Sequence, residues 1–196
     1  MKKLFQQKTL VLIQSLVFAF VFISFGCNID GIQEEKNDVI FDCNADSTQE
    51  EKDNIQVYFS RVDPCDEIII GLIDKAGQEV NIAIYSITRK IISDSIIRAH
   101  RRGVSVRMVT DAGQADFAGS RDKDIEESGV PVKRIDHPGI GAMHHKFAVI
   151  DGRITITGSF NWSTNATNNN DENLLVITST ETARQYNAEF ERVWVY

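Results

Sequence analysis

A chain of 196 residues with 42% apolar and 25% charged residues is long enough for a compact domain with a real core. It carries no Gly/Ser/Pro tract and no repeat at solenoid periods, which excludes low-complexity and solenoid architectures. Its net charge of -7 argues at first against a nucleic-acid partner, but the charge is uneven. Residues 1–27 hold three lysines and no acid, residues 28–54 nine acids and two lysines, and residues 55–196 nineteen acids against sixteen bases. The last segment is only mildly acidic, which leaves room for a local basic patch.

Lys2, Lys3 and Lys8 precede a mostly apolar run from Leu10 to Gly26, the order of an n-region and an h-region. The run is shorter than the roughly 20 residues that span a bilayer comfortably. It ends at Ser24-Phe25-Gly26-Cys27, which resembles a bacterial lipobox and implies lipidation of Cys27. Ser24 and Phe25 depart from the usual residues of that motif, and the alternative is an uncleaved signal anchor. Either way the remainder is expected to be exported, membrane-anchored as a bacterial lipoprotein or else periplasmic or extracellular. With Cys27 lipidated, Cys43 and Cys65 are left to pair, and an exporting route permits a disulfide between them; the alternative is two free thiols. Residues 28–54, acidic and poor in large apolar side chains, read as a flexible spacer.

Residues 55–196 read as the folded domain. Ile55–Ser60 alternates as a strand, and Asp63-Pro64 breaks it. Asp66–Ala76 has helical spacing of Ile69, Ile70, Leu72 and Ile73, stopped by Gly77. Val80–Tyr85 is a β-rich apolar run, Ile91–Arg102 a second amphipathic helix closed by Gly103, and Val104–Thr110 a strand ending at Asp111. Asp122–Ser128 is a short polar helix and Val132–Ile135 a short strand. Lys146–Ile150 and Ile154–Thr157 flank Asp151-Gly152, a hairpin signal. Leu174–Thr178 is a further strand, and Thr180–Val193 a closing helix. The alternation predicts an α/β fold, a mixed sheet with helices on both faces.

One constellation carries chemistry. His144 and Lys146 stand two apart, Asp151 follows Lys146 after four residues, and Gly158-Ser159-Phe160-Asn161 follows after six more. This H-x-K-x4-D-x6-G-S-x-N pattern resembles the signature of the phospholipase D superfamily, in the branch of single-motif bacterial endonucleases, and Glu172 lies where that family places an acid. The resemblance covers nearly all of residues 55–196 and implies the phospholipase D-like α-β-α sandwich.

Strand alternation would put His144 and Lys146 on one face, and Ser159 and Asn161 on another, with the hairpin bringing both pairs together. An imidazole, an ammonium, a hydroxyl and a carboxamide suit a phosphodiester: Lys146, Ser159 and Asn161 bind the phosphate while neutral His144 attacks. The resemblance implies that Glu172 holds the other ring nitrogen of His144, that Asp151 joins the catalytic residues in a supporting role, ordering the turn and the site's hydrogen bonds, and that no metal or other cofactor takes part. It also implies a homodimer. The motif occurs once, so the second histidine, as general acid, has to come from a partner copy.

The expected activity is therefore a metal-independent phosphodiesterase. The first expectation is a non-specific endonuclease acting on DNA or RNA through a phosphohistidine. The alternatives are a phospholipase D acting on lipid headgroups and a non-catalytic nucleic-acid or membrane-binding module. Arg89, Lys90, Arg98, Arg101, Arg102 and Arg107 form a candidate phosphate-backbone patch, against which stands an ordinary solvated helix face. His100, His137 and His145 are read as structural, and Phe160 and Trp162 as core.

Overall fold

The computed structural model describes residues 54–196. The expected leader with Cys27, and the expected spacer with Cys43, fall outside the described residues. Cys65 lies within them as a buried side chain, 2% exposed, with its thiol pKa pushed up by burial and by Asp63 and Asp66.

In chain order the elements are β1 (Asn54–Phe59), α1 (Cys65–Lys75), β2 (Glu79–Ile84), α2 (Lys90–Arg101), β3 (Ser105–Asp111), α3 (Ala112–Ala115), α4 (Asp122–Glu127) and β4 (Val132–Ile135). They continue as β5 (Lys146–Ile150), β6 (Ile154–Gly158), α5 (Thr164–Asn168), β7 (Asn173–Thr178) and α6 (Thr180–Trp194). Every strand and helix expected from the sequence appears with its ends within one residue. The short helices α3 and α5 were not expected. Each is too brief to show a hydrophobic period, and each starts on a capping side chain: Asp111 accepts from Gln114 N, and Ser163 from Ala166 N.

The strands make one seven-stranded sheet, ordered β1-β7-β6-β5-β2-β3-β4. β2, β3 and β4 run parallel, and β5, β6, β7 and β1 add antiparallel pairings, so the sheet is mixed as expected. Successive side chains go to opposite faces. Val80, Ile82 and Ile84 of β2, with Ala148 and Ile150 of β5, pack with Ile69 and Ile73 of α1 and Ile92 and Ile96 of α2. The alternate residues Ala83, Phe147 and Val149 pack under Ala183, Phe190 and Val193 of α6. Both faces are thus covered, and β5 reads as a nearly continuous apolar run for that reason.

The pairings also decide which residues share an end of the sheet. Ile84 of β2 lies beside Lys146 of β5 and Thr110 of β3. Gly158 lies beside Leu174, and Phe59 beside Asn173. Six chain segments therefore converge at one end: Ser60, Tyr85, Asp111, His144–Lys146, Ser159–Asn161 and Glu172. The β5–β6 turn, with Asp151, lies at the other.

Candidate active site

His144 belongs to the loop before β5, not to the strand itself. Strand alternation is thus not what unites it with Lys146. Tyr85, the residue after β2, does so: its ring centroid lies 4.5 Å from that of His144 and 4.9 Å from Lys146 Nζ. Lys146 Nζ also turns back to donate to the His144 carbonyl at 2.8 Å. The loop is clamped on both sides of His144. Asp111, almost buried, accepts from Met143 N at 3.1 Å through Oδ2 while its Oδ1 caps α3. His145 points to the α6 side, where Nε2 meets Glu189 Oε1 at 2.7 Å, and its carbonyl accepts from Tyr85 N at 2.7 Å. The structural reading of His145 fits this placement. Asp111 lies at the site's rim and carries a loop-positioning contact to Met143 N, a residue thirty-two positions away that no sequence pattern links to it. Nothing in the sequence marked Tyr85.

Ser159 and Asn161 lie beyond the end of β6. Gly158 makes that exit possible: its φ is +141°, and a Cβ there would stand 2.3 Å from the Asn173 carbonyl oxygen. Ser159 N then donates to the Asn173 carbonyl at 3.2 Å, and Asn173 N to Ser159 Oγ at 3.1 Å. Asn161 sits between two core side chains, Phe160 and Trp162, each 1% exposed. Trp162 accepts from Thr88 N and Arg89 N at 3.0 Å through its carbonyl, which fixes this segment beside the exit of β2. Among the described residues Asn161 Oδ1 is buried without a hydrogen-bond partner, an uncommon state that costs about 1–3 kcal/mol where it persists.

Glu172 precedes β7, and β6 separates β7 from β5. Its carboxylate accordingly meets Ser159 first: Ser159 Oγ donates to Oε2 at 2.5 Å, and Asn170 Nδ2 to Oε1 at 2.8 Å. No hydrogen bond joins it to His144 within one copy among the described residues. Ser60, at the end of β1, locks the segment from outside. Its Oγ donates to the Asn170 carbonyl at 2.7 Å and accepts from Glu172 N at 2.8 Å.

Asp151 is not brought to the site. It occupies the turn at the far end of β5 with φ +52°, and its carboxylate accepts from the backbone N–H groups of Gly77, Gln78 and Glu79 at 2.8–3.3 Å. Burial raises its pKa, but these three donors outweigh burial and hold it below the usual carboxylate value. It orders the turn, as expected, by anchoring it against the α1–β2 loop, and these bonds lie away from the site.

The electrostatics suit a neutral imidazole. Burial, the Lys146 charge and His145 lower the His144 pKa below its ordinary value, and Asp111 opposes them. Burial also lowers the Lys146 pKa, against the pull of Glu172. Among the described residues no group of three or more His, Cys, Asp or Glu side chains is placed to hold a metal ion.

The candidate arginine patch is largely occupied by the chain's own acids. Arg98 pairs with Asp74 at 2.8 Å, Lys90 with Asp94 at 2.8 Å, Arg89 with Asp66 at 2.8 Å and Arg107 with Glu191 at 2.6 Å. Arg102 donates to the Ile73 carbonyl at 3.0 Å. Arg98 and Arg101 lie in the last turn of α2 and Arg102 caps it; the helix starts at the site end of the sheet and finishes at the other.

Histidine, lysine, serine, asparagine and glutamate are thus gathered at one end of a mixed α/β sheet. A family model described as cardiolipin synthase, PLD-like domain, matches residues 69–194, and the chain belongs to the phospholipase D superfamily. Nuc from Salmonella typhimurium, described as a phospholipase D family member, superposes with a TM-score of 0.68 at 27% identity, covering 73% of this chain and 95% of that one. NucT from Helicobacter pylori gives 0.66 at 27% identity, covering 73% and 96%. The human mitochondrial cardiolipin hydrolase is 37% identical over 119 residues, 61% of this chain and 46% of that protein. The chain thus spans about half the length of that curated relative.

Proposed function

We propose that this phospholipase D-family phosphodiesterase is an endonuclease for DNA or RNA, working without a metal ion in a homodimeric site. The observation that carries the nuclease reading is the cleft on the Asn161 side of the His144–Lys146 pair. It is lined by hydroxyls and amides, with Tyr85 and Phe117, and by no charged side chain. Such a lining offers no apolar channel for an acyl chain and no cation for a second lipid phosphate. It does offer hydrogen bonds to the neutral part of a nucleotide.

In this mechanism Lys146 and Asn161 hold the non-bridging oxygens, with Ser159 and Glu172 ordering that side of the pocket. An imidazole nitrogen of His144 attacks phosphorus, and the bond to the leaving oxygen breaks. The protonated His144 of a second copy gives its proton to that oxygen. The same residue then removes a proton from water, and the hydroxide attacks phosphorus and frees the first His144. The two imidazoles begin in opposite protonation states, so the rate is bell-shaped in pH. A second copy is required because the other histidines are elsewhere: His145 on Glu189, His137 on Tyr196, and His100 on α2 beneath Gly129. Ile140, fully exposed in the loop leading to His144, is an apolar contact suited to such a partner. The leader and Cys27 would hold the domain, exported, at a membrane.

The second reading, a phospholipase D acting on lipid headgroups, is favoured by the 37% identity to a protein named mitochondrial cardiolipin hydrolase. The test incubates the full chain and its His144→Ala variant, in excess EDTA, with single-stranded DNA, plasmid DNA and cardiolipin vesicles. Cleavage of nucleic acid by the parent alone supports the nuclease. Phosphatidic acid release without DNA cleavage would replace it with the lipase, and binding of DNA or vesicles unchanged by the variant, with no cleavage, would leave a non-catalytic module.

A further inference from the structure

The cleft beside Asn161 has a volume of about 350 Å³, at the small end of ligand-binding pockets. Tyr85 is the wall it shares with the phosphate pocket. That ring contacts both His144 and Lys146, while its hydroxyl accepts from Gln114 Nε2 at 3.1 Å in the cleft. A group in the cleft is therefore a direct neighbour of the scissile phosphate. Two further features define what fits. Asn165 and Asn170 present amides, held to each other at 2.9 Å, and Ser86 and Ser163 add polar groups. Phe117, in the loop after α3, is 64% exposed at the rim. Its ring lies against Gly119, where an added Cβ would stand 3.1 Å from Cε1, so the missing side chain of Gly119 leaves room for the ring.

We propose that this cleft is a nucleobase subsite, with Phe117 as its stacking face. The proposal rests on the nuclease reading. An uncharged lining of amides and hydroxyls matches the mixed donors and acceptors of a base edge. An exposed aromatic ring matches its π-face, and any base stacks on such a ring. Bases in a duplex are paired and stacked and cannot enter, whereas those of a single strand swing out freely. Phe117 is then a specificity residue that touches the substrate next to the reacting phosphate and takes no part in bond-making.

The full chain and its Phe117→Ala, Phe117→Leu and Phe117→Trp variants are compared on a single-stranded oligonucleotide, its duplex and an abasic oligomer of the same length. The abasic strand keeps every phosphate and lacks the bases. The parent is expected to favour the base-bearing single strand over both others. Phe117→Ala and Phe117→Leu should raise KM for that strand about 5- to 100-fold, leaving the abasic rate unchanged, and Phe117→Trp should restore the parent KM. Equal effects on base-bearing and abasic strands, no effect on either, or a parent preference for duplex would overturn the subsite while leaving the nuclease intact. Loss of dimer mass in light scattering with Phe117→Ala would overturn it by assigning the ring to the second copy. If no oligomer is cut and cardiolipin vesicles are, the nuclease reading fails and the subsite with it.

Discussion

Replacing Asp111 by Asn separates the loop that carries His144 from the chemistry His144 performs. Asp111 spends both carboxylate oxygens on backbone N–H groups, Oδ1 on Gln114 and Oδ2 on Met143. Asparagine can accept at only one of these places and turns an NH2 group toward the other. One almost buried N–H then loses its partner, at about 1–3 kcal/mol, and a weakened α3 cap adds about 1 kcal/mol. A loss of about 2–4 kcal/mol in urea unfolding is expected. Activity should fall about 10- to 100-fold in kcat, because Met143 immediately precedes His144 and small displacements of a reacting group are costly. A third readout distinguishes this from general loosening. Asp111 raises the His144 pKa, so its removal should lower that pKa further. In an NMR titration the His144 ring proton should move its midpoint toward acid pH, and the acid limb of the rate profile should follow. A variant that keeps the parent kcat, or whose His144 midpoint moves toward alkaline pH, would refute the positioning argument.

Gly158→Ala should be severely destabilising, by about 3 kcal/mol or more, because its Cβ would collide with the Asn173 carbonyl and its φ is +141°; the melting temperature checks this. Asp151→Ala should cost about 2–4 kcal/mol by loss of three charge-assisted bonds yet leave kcat of the folded enzyme unchanged. The Asp151 pKa is depressed in the fold, so its contribution is complete above the unfolded carboxylate pKa and fades as pH falls through the lower folded value. Parent and variant stabilities should thus converge in acid, as measured by unfolding at several pH values. Ile140→Asp should yield a folded monomer in light scattering with activity reduced at least 100-fold; an active monomer would end the two-histidine scheme.

The strand and helix runs were legible because burial on both faces of β2 and β5 leaves long apolar segments, and α2 and α6 show one apolar stripe each. Less could be read at the ends of strands. His144 and Lys146 were expected to meet by strand alternation; they meet on Tyr85 instead, contributed by a loop some sixty residues earlier in the chain. Glu172 was placed at the site, but its partner depends on the sheet order β7-β6-β5, which puts Ser159 in its path. The arginines of α2 looked available because sequence spacing does not show Asp74 facing them from α1. Contacts between distant segments are what a single sequence withholds, and each of these is one.

The spacing of the motif itself follows from the sheet register. β5 and β6 are five residues each, joined by a tight turn in which Asp151 and Gly152 both have positive φ. Ile150 pairs with Ile154 and Ala148 with Ile156, so continuing the antiparallel register brings Lys146 level with Gly158. The four residues between Lys146 and Asp151 set one arm of the hairpin, and the six between Asp151 and Gly158 set the rest of the turn and the other arm. Both arms then end at the same height, and Ser159 and Asn161 leave the sheet level with the loop that brings His144 into it. One residue inserted in either arm would reverse the faces of that strand, sending Lys146 or the Ser159 segment toward α6. Asp151 is thus tied to the chemistry through distance alone: it fixes the far end of a hairpin whose near end carries the reacting groups.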